Sequence, residues 1–233
     1  MFGLVGPRGV GKTTMVLQYI KQHLSLADTL YITMDHLYFS AHTLIEVADK
    51  FYKQDGKHLF IDEVHKAKDC SLQIKQMVDT YNDMQIVFTG SSVLDIYRGL
   101  ADLSRRAPIY EMQGLSFREY LELYHGIHIS PVSLEDILQQ RVSLPHIQHP
   151  LPLFADYLRK GYYPFANEDT DYATALMQVV TRTMESDIPT YANLSVSVAR
   201  RLKLLLVVVA QSVPFKPNNT KLAQVTGISR NDI

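Results

Sequence analysis

A chain of 233 residues with 46% apolar side chains can bury one large core, and its net charge of −1 excludes a uniformly basic or acidic protein. A single cysteine, Cys70, excludes an internal disulfide framework and fits a reducing, cytoplasmic setting. The longest apolar run, residues 204–210, falls far short of the roughly twenty residues that cross a bilayer, and Met1-Phe2-Gly3 lacks the basic start of a secretory signal, so no membrane partner is expected.

Residues 2–5 are apolar and read as a strand. They lead into Gly6-Pro7-Arg8-Gly9-Val10-Gly11-Lys12-Thr13, with Thr14 behind it, and then into Met15-Val16-Leu17-Gln18-Tyr19-Ile20, which reads as a helix. This is G-x-x-x-x-G-K-T in the strand–loop–helix setting of a phosphate-binding loop. Glycines let the backbone curl so that successive N–H groups face anionic oxygens, and the helix N-terminus adds partial positive charge. Lys12 is placed to reach β- and γ-phosphates, and the Thr13 hydroxyl to bind Mg²⁺. The alternative is a chance match on a glycine turn, which the flanking strand and helix argue against. So little chain precedes Gly6 that the first strand reads as N-terminally clipped.

The following segments alternate strand and helix. Residues 30–34 form a β-rich run, 41–51 a helix, and 58–63 an apolar run meeting two acids. Residues 70–81 carry Leu72, Ile74, Met77 and Val78 on one helical face. Residues 85–92 again read as strand then turn, 93–103 as a helix, and 107–112 as a fifth strand. Such alternation predicts a parallel sheet covered on both faces, hence an α/β fold.

Three groups along this stretch carry candidate chemistry. Asp62 and Glu63 end an apolar strand, where ligands of parallel sheets sit. Asp62 suits the Mg²⁺ shell, and Glu63 suits polarising a water for attack on a γ-phosphate. Thr89-Gly90-Ser91-Ser92 closes the next strand, and Ser91 fits either a γ-phosphate contact or a helix cap. Arg105 and Arg106 precede the fifth strand. They read either as a surface pair or as an arginine finger acting in cis or from a neighbouring subunit, which would make the protein a homo-oligomer.

Together with Leu59-Phe60-Ile61-Asp62-Glu63, Phe88-Thr89-Gly90-Ser91-Ser92 and the run from Arg105 to Leu121, the loop resembles the AAA+ superfamily of P-loop ATPases. Within it the chain is similar to prokaryotic, STAND-related members with a helical lid and a C-terminal winged helix. The segment Leu115-Ser116-Phe117-Arg118-Glu119-Tyr120-Leu121 is the most distinctive match. The resemblance implies ATP as nucleotide, Asp62 and Glu63 as the Walker B pair, and a three-layer sandwich with sheet order 5-1-4-3-2. It also sets Gly161-Tyr162-Tyr163-Pro164 as a lid motif, with Pro164 near the adenine.

The expected division is a core over 1–125, a linker over 126–150, a helical lid over 151–213 and the start of a winged helix over 214–233. The linker contains His128, His146 and His149, close behind His125, which could mark a metal site but read as polar linker residues because no tight histidine pair with acids appears. In the lid, residues 170–188 and 195–213 read as helices, with 204–209 as buried core. Leu222, Ala223, Gly227, Ser229 and Ile233 have helix–turn–helix spacing, stopping inside the second helix. From Ser195 on there are six basic residues and one acid, which fits either a solvated basic face or an anionic partner, so the tail is a candidate contact for DNA or for a protein.

Two functional readings survive. One is an ATPase whose hydrolysis resets a conformational switch; the other is a nucleotide-dependent regulatory or DNA-binding protein with negligible turnover. A small-molecule kinase fits less well, because no acceptor motif appears and Glu63 suits water activation.

Overall fold

The computed structural model of the protein describes residues 1–90, 107–142, 147–167, 171–188, 196–212 and 216–229. Strand β1 (Phe2–Val5) is the pivot of the sheet. Its residues Gly3, Leu4 and Val5 are buried, and both its edges are paired, to β4 (Gln85–Gly90) on one side and β5 (Ile109–Glu111) on the other. Beyond β4 lie β3 (His58–Asp62) and β2 (Thr29–Thr33), giving the order β2-β3-β4-β1-β5 with every pairing parallel. The register brings the carboxyl ends into line: Val5 lies beside Gly90, Thr33 beside Asp62, and Ile61 beside Phe88.

Two apolar layers follow from the period-two alternation of the strands. On one face, Leu59, Ile61, Ile86 and Phe88 pack with Val5. They meet Leu44 and Ala48 of α2 (Leu44–Tyr52) and Ile74 and Met77 of α3 (Cys70–Thr80). On the other, Leu4, Phe60 and Val87 meet Val16 and Ile20 of α1 (Lys12–His23). Right-handed crossovers explain the split: α1 carries the chain outward to β2, whereas α2 and α3 carry it back. Burying each large side chain contributes about 1.5–3 kcal/mol. Helix α2 starts at a capping box in which the Thr43 hydroxyl accepts from Glu46 N–H and the Glu46 carboxylate accepts from Thr43 N–H.

Beyond β5, a second capping box, Ser116 with Glu119, opens α4 (Phe117–His125), which ends on Gly126 in the left-handed region. Helix α4 packs on α6 (Pro150–Lys160) through Phe117, Tyr120, Phe154 and Tyr157; the Phe117 and Phe154 rings stand edge to face at 5.2 Å. Between them, inside the stretch read as linker, lies a short helix, α5 (Leu134–Leu138), capped by Ser133. Five residues with no buried side chain leave no periodic signal, which is why the sequence does not reveal it.

Helix α7 (Tyr172–Arg182) runs into a wider π-turn over Thr183–Asp187. It is followed by α8 (Val196–Gln211) and α9 (Asn219–Thr226), the last ending on left-handed Gly227. The expected burial of 204–209 is overturned: Leu204, Leu206 and Val207 are exposed. A helix apolar all round needs cover all round, and among the described residues the π-turn and α9 flank α8 on part of its circumference. Among the described residues no helix is long and apolar enough to cross a membrane.

Candidate functional site

The loop after β1 is shaped by what glycine lacks. A β-carbon at Gly6 would stand 2.1 Å from the Met112 carbonyl oxygen, so only glycine lets the loop leave the sheet there. Gly11, at φ +97°, is the left-handed residue that launches α1, and its carbonyl accepts the first turn's bond from Met15 N–H. Lys12 is buried as the first residue of the helix, and its ammonium donates to the carbonyls of Gly6 (2.9 Å) and Pro7 (2.8 Å). The lysine therefore closes across the curl that Gly6, Pro7, Arg8, Gly9, Val10 and Gly11 make. Val10 is buried beneath it, while Gly9 and Thr14 are exposed.

The parallel register delivers a carboxylate to this loop. Asp62, 5% exposed, accepts at Oδ2 from the Thr13 hydroxyl and from the Tyr31 hydroxyl, each at 2.8 Å. Its Oδ1 accepts from the Thr89 hydroxyl, and Thr89 Oγ1 in turn accepts from Glu63 N–H at 3.2 Å. Thr89 thus staples the ends of β3 and β4 together. Burial and the hydrogen bond to Asp62 push the Tyr31 phenol well above its ordinary value.

Glu63 leaves β3 with φ +56°, a left-handed backbone that costs a non-glycine residue about 1–2 kcal/mol. Its Oε2 is buried 3.1 Å from Nε2 of His65, an ion-pair distance without hydrogen-bond alignment. Burial pushes the Glu63 carboxyl above the usual carboxylate range. Lys66 and Arg8 pull it back, Asp62 raises it further, and Lys12 lowers it.

A third element closes over the loop. Leu115 N–H donates to Tyr162 O (2.8 Å), and the Tyr124 hydroxyl donates to Pro164 O (2.5 Å) and Tyr163 O (3.3 Å), so α4 and the residue before its cap hold the segment Gly161-Tyr162-Tyr163-Pro164. Pro164 Cγ lies 3.7 Å from where a Gly11 β-carbon would be. The Tyr163 and Phe165 rings stack at 5.0 Å beside Gly9.

The fold therefore gathers Gly6 to Thr14, Asp62, Glu63 and Pro164 at one end of the sheet. Ser91, Arg105 and Arg106, with the helix read over 93–103 and the second helix of the tail, lie outside the described residues. No sequence pattern marks His65, Tyr124 or Phe165 as part of this site. Tyr31 carried one usable signal, a polar ring in an otherwise apolar strand with a threonine at each end.

The residues present suit a small hard cation. A buried carboxylate at a strand end meets three neutral hydroxyl donors, one of them, Thr13, on the loop itself. Among the described residues no group of three or more histidines, cysteines or acids could hold a metal. A cation here would take most of its ligands from phosphate and water, which is the habit of Mg²⁺.

A family model described as "AAA domain" matches residues 1–121. The uncharacterized protein MJ1637 of Methanocaldococcus jannaschii is 33% identical over 188 residues, covering 72% of this chain and 39% of that protein. Two solved structures align at low scores. C. elegans PCH-2 has a TM-score of 0.42 at 17% identity, over 78% of this chain and 55% of that one. The S. cerevisiae Hsp104–ADP complex has 0.44 at 18% identity, over 99% and 36%. This chain spans less than two thirds of the length of each of the three.

Proposed function

The chain belongs to the AAA domain family, and on that premise we propose that it binds ATP with Mg²⁺ and hydrolyses it to ADP and phosphate to drive a conformational switch. The observation that carries the reading is the Thr13–Asp62 hydrogen bond, which couples the glycine loop to an acidic strand end 49 residues away.

In this reading the backbone N–H groups of residues 6–14 and the amino end of α1 cradle the phosphates, and Lys12 exchanges the carbonyls of Gly6 and Pro7 for β- and γ-oxygens. Thr13 and Asp62 would hold Mg²⁺, which neutralises phosphate charge when bound. Glu63 takes a proton from the attacking water; its raised pKa makes it a better proton acceptor than an ordinary exposed carboxylate. Pro164 borders the nucleoside side of the loop. Ser91 is assigned to the γ-phosphate, and Arg105 or Arg106 to a finger in cis or from a second subunit of a homo-oligomer. The division into core, lid and winged-helix start, the STAND-type affiliation and a cytoplasmic setting belong to the same proposal. The tail's role as a contact for DNA or protein rests on Asn218-capped α9 and Gly227, the first helix and turn of a helix–turn–helix.

The test is steady-state ATP turnover by the full-length protein, with and without duplex DNA, for wild type and Glu63→Gln. Turnover that Glu63→Gln abolishes supports the ATPase. ATP binding with no turnover under either condition would leave the alternative, a nucleotide-gated regulatory protein.

A further inference from the structure

Tyr31 belongs neither to the glycine loop nor to the acidic strand end, yet it touches the centre of the site. It lies mid-way along β2, in register with Phe60, while Thr33 is in register with Asp62. Residues two apart on a strand share a face, so Tyr31, Thr33, Phe60 and Asp62 all point to the side covered by α1. Thr33 is the direct neighbour of Asp62, but its hydroxyl oxygen accepts from Asp35 N–H instead. Tyr31, one pleat back, is long enough to lean along the strand and donate to Asp62 Oδ2.

We infer that Tyr31 is a positioning residue for Asp62: its hydroxyl holds Oδ2 toward Thr13 and thereby sets the site's affinity for the divalent cation that accompanies the nucleotide. The inference rests on the reading of Thr13 and Asp62 as the cation-binding pair. Three features carry it. Oδ2 receives Tyr31 and Thr13 at the same 2.8 Å, one donor from β2 and one from the loop, so turning the carboxylate breaks both bonds. A phenol is a neutral donor, which orients the carboxylate while leaving its charge for a cation, as a lysine or arginine would not. Finally, the Tyr31 ring is anchored independently against the cluster of Leu4, Val16 and Phe60, so its hydroxyl can be removed without removing the packing.

The experiment uses the whole chain with ADP and Mn²⁺. ADP affinity is measured by calorimetry in chelator, and Mn²⁺ affinity in saturating ADP by electron paramagnetic resonance, for wild type, Tyr31→Phe and Asp62→Asn. Tyr31→Phe is expected to bind ADP in chelator as wild type does and to bind Mn²⁺ about tenfold more weakly, the usual effect of losing an outer partner of a metal ligand. Unchanged Mn²⁺ affinity in Tyr31→Phe, with a clear loss in Asp62→Asn, overturns the role of Tyr31 and leaves the cation reading standing. Unchanged Mn²⁺ affinity in Asp62→Asn overturns the cation reading itself, and the inference with it. A loss of ADP affinity in chelator equal to the loss of Mn²⁺ affinity marks Tyr31 as merely structural. Should Tyr31→Phe not fold, Tyr31→Leu, which keeps apolar bulk against Leu4, Val16 and Phe60 and has no donor, is put through the same two titrations under the same criteria.

Discussion

Phe165 leans on Gly9: a β-carbon at the glycine would stand 3.0 Å from Cε1 of the ring. The contact joins the turn at Pro164–Asn167 to the middle of the glycine loop, so the two segments share a surface. Gly9 also sits at φ +86°, where any side chain is strained. Gly9→Ala is expected to lower stability by about 1–2 kcal/mol and to push Phe165 away from the loop. Thermal unfolding measures the first effect. Weaker ATP binding by calorimetry measures the second; unchanged affinity would separate the ring from nucleotide binding.

Lys12→Ala should leave a folded protein that binds ATP poorly. The ammonium already has two carbonyl partners, so the loop loses an internal clasp as well as the phosphate contact proposed above. Loss of a charged hydrogen bond contributes about 1.5–3 kcal/mol, or roughly ten- to hundredfold in affinity. Calorimetric titration of a variant with a wild-type circular dichroism spectrum checks it.

Glu63→Gln should separate binding from turnover. The amide keeps the shape of the carboxylate but cannot accept a proton, so ATP turnover falls by about 10²–10⁴-fold while ATP affinity holds. Single-turnover measurements with labelled ATP would show the nucleotide bound and uncleaved. A wild-type rate would remove Glu63 from the chemistry.

The α4–α6 contact gives a prediction with a pH signature. Tyr120, buried, donates to Asp156 Oδ2 at 2.7 Å. That bond holds the Asp156 carboxyl below its ordinary value of 3.8, while burial and the bond together push the Tyr120 phenol from 10.0 up to about 12. The depressed carboxyl stabilises the fold above about pH 4 and loses this contribution as pH falls through its folded value. The raised phenol stabilises below about pH 10 and loses its contribution as pH rises through about 12. Tyr120→Phe should therefore destabilise by about 1–2 kcal/mol between those limits, the deficit shrinking as the pH falls below about 4 and as it rises from about 10 towards 12. Urea unfolding at a series of pH values tests this.

Short-range patterns in the sequence were enough to specify the glycine loop and the alternation of strands and helices from β1 to β4. Phe2–Val5 and His58–Asp62 are apolar runs that polar turns interrupt, and Gly6, Gly9 and Gly11 mark a backbone that other residues cannot follow. Asp62 and Glu63 were legible as candidates because their strand ends on them. Tertiary structure decided which residues meet. That Thr13, Tyr31 and Thr89 all donate to Asp62 depends on the parallel register of β2, β3 and β4 and on the crossover that returns α1 to the sheet. The approach of Pro164 to Gly11 depends on Tyr124 gripping a segment 40 residues further along the chain. The exposure of Leu204, Leu206 and Val207 likewise depends on what packs beside α8, not on its own composition. Periodicity and turn chemistry act within a few residues. Register and side-chain reach act between segments tens of residues apart, and only the folded chain sets those distances.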